Sequence, residues 1–467
     1  MKTVMGAGLL GAIVALGLGN VAYSADNELS AHTTCSAPAI TSYELAQLPH
    51  HFDLSGDAAI LEMLQQSPID PAKRFYATDR RSAEHVLSSF NTIEQMHQAD
   101  IGLALLNEHG LVLLYSDDNF PLMSVMKFHL GYAVLSEMVK RGDSLSDTIT
   151  IKFSDLDPNT YSPMYDVLEQ RQFNLTNCNC EHIAPAIAAA HEAASQQAQA
   201  SRAEAQQGAN HFWGDAYLTA MLSCTKQAPN TATLSGLRVS PKELTICLGD
   251  LLYYAVRESD NNACDALIKY YLGGMENLER FWHDKGVPLS LKYTEGEMAA
   301  EVARCYDDHG RPYDIAHSYA VYLNDLSLPQ ELRSFLDETM LFVPTGADRI
   351  QYAVNRTLSE YATSYQQEQE IFRTLRIFDK TGMGGMNEHG ERIAVNDLAF
   401  ISYEGKPYIL SVTIKNIAGT PESSVRDGAM ALRKSARVAF TYALNLFHGA
   451  QILTPIDLVC QCDSDHE

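Results

Sequence analysis

Apolar and polar positions alternate in two different periods along the chain, and the change of period divides it into strand-forming ends and a helical middle. Residues 82–97 (SAEHVLSSFNTIEQMH) place Val86, Phe90, Ile93 and Met96 three or four positions apart, the spacing of one buried helix face. Residues 101–116 (IGLALLNEHGLVLLYS) then read as two apolar strands around a turn at 107–110. After Phe120-Pro121, a helix opens at Ser124, with Val125, Leu130, Ala133, Val134 and Met138 spaced for burial. Regular helical patterns return over 241–272 and 298–340. Towards the other end, RIFDKTG, RIAVNDLAFISYEG and KPYILSVTIKN read as adjacent antiparallel strands, the last two joined at Gly405-Lys406. SVRDGAMALRKSARVAFTYALNLF follows as an amphipathic helix.

These elements predict an α+β fold: one antiparallel sheet built from both chain ends and flanked by helices, plus an all-α domain from the middle. The boundaries place the α/β domain at 81–118 and 368–450 and the all-α domain at 119–367. Residues 25–80 carry only scattered apolar stretches and read as an irregular extension; 451–467 form a tail. Within 168–238 the composition shifts to Ala, Gln and Glu with few large apolar residues. That is an exposed helix in an insertion, or a low-complexity linker.

The first residues add a targeting signal. Lys2 precedes an apolar run over 5–18, and Ala22-Tyr23-Ser24 offers small residues before a cleavage point at Ala25. Residues 1–24 therefore read as a signal peptide, and the run is too short for a comfortable membrane span. The mature chain is expected in the periplasm as a monomer. With 58 acidic against 34 basic residues, the net charge of −24 repels nucleic acid and anionic membranes alike, so neither is an expected partner. Nine cysteines leave at least one unpaired. Cys247, Cys264 and Cys305 lie in apolar or helical patterns and read as buried free thiols. Cys178-Asn-Cys180-Glu-His182 has poor spacing for a zinc knuckle and no matching second pair, so no metal is expected.

The chemistry begins at PLMSVMKFHL. Ser124 and Lys127 share a helix face, and a desolvated lysine can lose its proton and serve as base to a serine nucleophile. His129 lies on a different face and reads as a packing residue. Alone the pair is a common coincidence. Further on stand Ser259-Asp260-Asn261, after an apolar helical run, and Lys380-Thr381-Gly382, at a strand end before Met383. The ordered set SxxK, SDN, KTG belongs to serine penicillin-recognising enzymes.

The chain thus resembles a class A β-lactamase over roughly 100–165 and 240–447, on FPLMSVMKFHL, RESDNNACD and FDKTGMGG. SDNNACD and NDLAFISYEGKPYILSVTIKN are most similar to the PER-like, cephalosporinase branch. The resemblance implies Ser124 as nucleophile, with Lys127, or Glu295 through water, as its base. It implies Ser259 as proton donor to the leaving nitrogen, Lys380 as positive charge beside Ser259, and the backbone N–H groups of Ser124 and Met383 as oxyanion donors. Asn261 would contact the substrate side chain, Thr381 and Gly382 the region of its carboxylate. The partner implied is a small-molecule β-lactam, and no cofactor is needed. The deacylating glutamate falls at Glu295, with Glu297 as competitor, in YTEGEMAAEVARCYDDHGRP; Asp308 and Pro312 fall where such a loop ends. Ala299 stands where the family commonly has an asparagine, and Gly296 where it has a proline. The family's usual disulfide has no cysteines at its positions. Arg349 is open between carboxylate recognition and a structural ion pair. Two other functions remain: a penicillin-binding DD-peptidase that turns over slowly, and an exported binding protein with a degenerate site.

Overall fold

A computed structural model of the chain describes residues 51–66, 74–165, 238–239 and 243–450. The N-terminal part contains α1 (Asp57–Gln66), β1 (Phe75–Ala77), α2 (Arg80–His97), β2 (Asp100–Asn107), β3 (Gly110–Tyr115), β4 (Phe120–Pro121), α3 (Met126–Arg141) and β5 (Thr148–Lys152). The middle contains β6 (Arg238–Val239), β7 (Glu243–Cys247), α4 (Leu248–Val256), α5 (Asn261–Ala266), α6 (Met275–Asp284), α7 (Glu295–Ala300), β8 (His309–Gly310), α8 (Pro312–Asn324), α9 (Gln330–Met340), α10 (Ile350–Tyr361) and α11 (Tyr365–Thr374). Then come β9 (Arg376–Met383), β10 (Glu391–Tyr403), β11 (Lys406–Ala418) and α12 (Pro421–Phe447).

The main sheet runs β1-β3-β2-β11-β10-β9, antiparallel throughout. The two ends of the chain meet where β2 pairs with β11, from Asn107 opposite Tyr408 to Asp100 opposite Lys415. Both faces are buried, which is why the strands read as nearly continuous apolar runs. On β10, Leu398 and Phe400 face one hydrophobic cluster while Ala399 and Ile401 face the other. The first cluster continues into α3, α4 and α8; the second is closed by α2, α10 and α12. The β10–β11 hairpin turns through Glu404 (φ +50°) and Gly405 (φ +72°), the two left-handed positions of a two-residue turn.

The α+β reading holds, with three differences of detail. The 25–80 segment is not wholly irregular. β1 pairs with β3, and Asp57 at the start of α1 is buried, accepting from Leu111 N at 2.8 Å and Tyr313 Oη at 2.9 Å. A three-residue strand is too short to show a period, and its partner is distant in sequence. Residues 243–247 are a strand, not the start of a helix: Leu244 and Ile246 point into the core, and β7 pairs with β5 and β6. The otherwise helical region therefore carries a small three-stranded sheet. Finally, Cys264 and Cys305 are buried free thiols, but Cys247 is disulfide-bonded. The Ala/Gln/Glu-rich stretch, the Cys178–His182 cluster, the signal segment and the tail lie outside the described residues.

Candidate active site

Ser124 sits in a 3₁₀ turn, Met123–Val125, that leads into α3. Met123 before it has φ +49°, a left-handed conformation that a side chain of this kind rarely adopts. One turn on, Lys127 is completely buried at the centre of a ring of oxygens. Its Nζ lies 3.0 Å from Ser124 Oγ, 2.7 Å from the Ser259 carbonyl, 2.6 Å from Asn261 Oδ1 and 2.9 Å from Glu295 Oε1. An ammonium has three hydrogens for these four acceptors. At any moment one oxygen lacks its own proton, which suits a group that exchanges protons with its neighbours. Glu295 Oε1 is itself 3.5 Å from Ser124 Oγ.

The second stretch closes the ring from the side. Asp260 caps α5, accepting from Ala263 N at 2.8 Å, and also holds the 160–165 loop through Ser162 Oγ and Met164 N. Ser259 before it is left-handed, φ +57°, which aims its carbonyl at Lys127 while its hydroxyl accepts from Lys380 Nζ at 3.0 Å. Lys380 also donates to the Thr381 carbonyl at 2.8 Å. Burial, then repulsion from Lys127, lowers the Lys380 ammonium to a pKa of about 7. Asn261 turns its Nδ2 to Thr160 Oγ1 at 2.8 Å.

The third stretch runs along β9. Thr381 Oγ1 lies 2.8 Å from Thr345 Oγ1. Gly382 must be a glycine: a Cβ there would stand 2.9 Å from the Leu122 carbonyl oxygen and 3.1 Å from the Ser124 amide nitrogen. That close approach brings the strand end alongside the backbone of the nucleophile. Met383, the next residue, is half exposed at the strand's end.

The glutamates separate cleanly. Thr294 and Glu297 form a reciprocal capping box, so Glu297 is occupied at the helix start and points to solvent. Glu295 is buried and turned inward. Ala299 is exposed and brings no polar side chain. The backbone N–H groups of Glu295 and Gly296 both donate to Asp265, each at 2.9 Å. Burial, then the charge of Glu295, pushes Asp265 up to about 7. Asp308 anchors the loop by accepting from Lys292 N at 2.8 Å and Tyr293 N at 3.0 Å.

Seven of the nine sequence-derived residues (Ser124, Lys127, Ser259, Asn261, Glu295, Lys380 and, through its carbonyl, Thr381) thus form one contact network, and the backbone at Gly382 adjoins it. Arg349 is neither free nor mainly an ion pair. It is buried and donates from Nη1 to the carbonyls of Gly382 at 3.0 Å and Asn396 at 2.7 Å. His129 is a packing residue: Ser318 Oγ lies 2.8 Å from Nε2, and burial lowers the imidazole to about 3. Three contributors escaped the sequence reading. Asp265 lies one turn beyond Asn261, a spacing that could have flagged it. Thr160 and Tyr161 arrive from a distant loop, with Tyr161 exposed beside the site and its carbonyl accepting from Asn261 N at 3.0 Å.

This geometry has relatives. A family model described as the beta-lactamase enzyme family matches residues 214–437, which hold the second and third stretches and Glu295. A β-lactamase of Bacteroides uniformis is 24% identical over 347 residues, covering 73% of this chain and 86% of its own length. One of Phocaeicola vulgatus is 23% identical over 336 residues, covering 71% and 77%. The crystal structure of a class A representative from Bacteroides cellulosilyticus superposes with a TM-score of 0.54 at 21% identity, covering 78% of this chain and 99% of its own. The SxxK stretch lies before the matched segment, and the structure brings it to the same centre. Residues 214–437 are thus similar to the β-lactamase enzyme family, and the chain carries the fold of the class A structures.

Proposed function

We propose that the protein hydrolyses β-lactams through an acyl-enzyme on Ser124. The observation that carries this reading is the Lys127 Nζ, held between the Ser124 hydroxyl and the Glu295 carboxylate. Ser124 Oγ attacks the lactam carbonyl, and its proton passes to Glu295 through water, or to Lys127 once the ammonium has handed one of its own protons to Glu295. The oxyanion forms against the N–H groups of Ser124 and Met383. The ring C–N bond then breaks: Ser259 gives its proton to the leaving nitrogen and takes back the one removed from Ser124, which returns Glu295 to the carboxylate, with Lys380 beside Ser259 to hold the site's charge. Asn261 and Thr381 orient the substrate's side chain and carboxylate. Glu295 next takes a proton from water, whose oxygen attacks the ester and frees Ser124.

The finer assignment is to the PER-like, cephalosporinase branch, supported by the SDNNACD stretch and the β10–β11 hairpin sequence. The basic and apolar N-terminal pattern supports export to the periplasm, where such an enzyme would protect its host from antibiotic. Exposed Ala299 favours a second outcome, capture with slow release, because it offers nothing to hold the hydrolytic water.

The test is hydrolysis of a chromogenic cephalosporin by the mature protein. Ser124→Ala should be inactive. Glu295→Gln should accumulate a covalent adduct visible by intact-protein mass spectrometry. An inactive wild type that forms no adduct would remove the proposal. A wild type that acylates but does not turn over, with Glu295→Gln unchanged, would make it a DD-peptidase-like acceptor.

A further inference from the structure

We propose that Asn396 is a positioning residue that fixes the backbone carrying the oxyanion donor of Ser124; this rests on the acyl-transfer reading above. Asn396 lies on β10 directly opposite Gly382 on β9. Side chains of cross-strand partners emerge on the same face of a sheet. On that face Gly382 has no side chain, and the backbone from Leu122 to Ser124 fills the space a Cβ would need. Asn396 supplies what the glycine cannot. Its side chain is completely buried, and Nδ2 donates to the Pro121 carbonyl at 2.6 Å and the Leu122 carbonyl at 3.3 Å.

These carbonyls immediately precede left-handed Met123 and the nucleophile. An amide nitrogen has two hydrogens, enough for both. The reversed amide would turn Oδ1 against two carbonyl oxygens, so one orientation is enforced. The anchor is itself braced: Arg349 holds the carbonyls of Asn396 and Gly382 together. From the other side, Leu122 N donates to the Asp308 carbonyl at 2.9 Å, at the end of the loop that carries Glu295.

The arrangement carries a cost that packing alone does not explain. Among the described residues Asn396 Oδ1 finds no donor, although it is buried. An unsatisfied buried acceptor destabilises a core, and an apolar side chain would avoid the penalty. What an apolar side chain could not do is grip the carbonyls of Pro121 and Leu122, in the two peptides before the one that carries the Ser124 N–H.

The experiment compares Asn396→Leu and Asn396→Ser with wild type in two measurements. The first is the acylation rate with a chromogenic cephalosporin in the pre-steady state. The second is the ester carbonyl band of the acyl-enzyme, trapped in the Glu295→Gln background and read by isotope-edited infrared spectroscopy. Loss of the grip should slow acylation by about ten- to a hundredfold, the scale of a misaimed oxyanion donor. It should also move the carbonyl band to higher wavenumber, because a less polarised carbonyl is stiffer. Acylation within about twofold of wild type would overturn the proposal. So would slow acylation with an unmoved band, which would assign Asn396 to packing. The serine variant is smaller than asparagine and cannot overpack, so it is read if the leucine variant does not fold. Failure of both to fold would place Asn396 in the core and also overturn the proposal. Failure of the wild type to acylate is a different result, because it removes the β-lactam reading itself.

Discussion

Lys127 and Lys380 have the same side chain and are both buried, yet their surroundings give them different work. Lys127 has an acid partner, Glu295, and three further oxygens. Lys380 touches only the Ser259 hydroxyl and the Thr381 carbonyl among the described residues, and burial brings its pKa to about 7. The sign follows. In the free enzyme Lys380 is charged below about pH 7 and loses its charge as pH rises through that value. If its charge receives the substrate's carboxylate, kcat/KM falls on the alkaline side of about pH 7, since kcat/KM reports the free enzyme. Lys380→Arg keeps its charge at every working pH, so its kcat/KM profile should lose that limb even if its maximum is lower. An unchanged limb in the arginine variant would assign it to another group.

At the scale of elements, the short helix α7 is held from both ends of its loop. Asp265 takes the first two N–H groups and Asp308 anchors the entry. Asp265→Ala leaves those N–H groups without their acceptor and frees α7 to tilt Glu295 away. Deacylation should slow more than acylation, giving a larger pre-steady-state burst of ring-opened cephalosporin per enzyme. The same carboxylate imposes a pH dependence. Its folded pKa, about 7, lies above the unfolded value of 3.8, so the folded state binds the proton more tightly. The stability it contributes is fully present below about pH 4 and is lost as pH rises through about 7. Asp265→Asn cannot titrate. Its unfolding temperature should therefore vary less between pH 5 and pH 8 than that of wild type, as thermal melts at both values would show. The β9–β10 connection adds a further tie, from Asn387 Nδ2 to Tyr306 Oη at 3.0 Å. Tyr306→Phe removes it at a cost of about 1 kcal/mol, measurable by chemical denaturation.

The whole molecule is organised around a sheet with no solvent face. One side carries the helices that present Ser124 and Ser259, the other the helices that close the chain. The segment before the sheet is part of this construction. Phe52 is buried against Phe400, and its backbone exchanges hydrogen bonds with Asn324 at 2.8 and 2.9 Å. Phe52→Ala should cost about 3 kcal/mol, the usual scale for emptying a buried aromatic site. The check is a urea midpoint; an unchanged midpoint would mean the segment adds nothing to the core.

Much of this was legible in the chain. The hairpins and the amphipathic helices follow from local period, and the three active-site stretches are contiguous. Spacing from Ser259 placed the glutamate at Glu295, and the structure separates it from Glu297, which a capping box with Thr294 commits to the helix start. The sequence by itself therefore determined the elements and the inventory of reactive groups. Tertiary structure decided how they meet. Ser124 and Glu295 lie 171 residues apart in sequence, and no periodicity encodes their contact. The β1 pairing, the β7 strand and the grip of Asn396 on the backbone before Ser124 are likewise contacts between distant segments. Local propensity reports the cost of a conformation; which oxygen a buried lysine or amide reaches is set only when the chain closes.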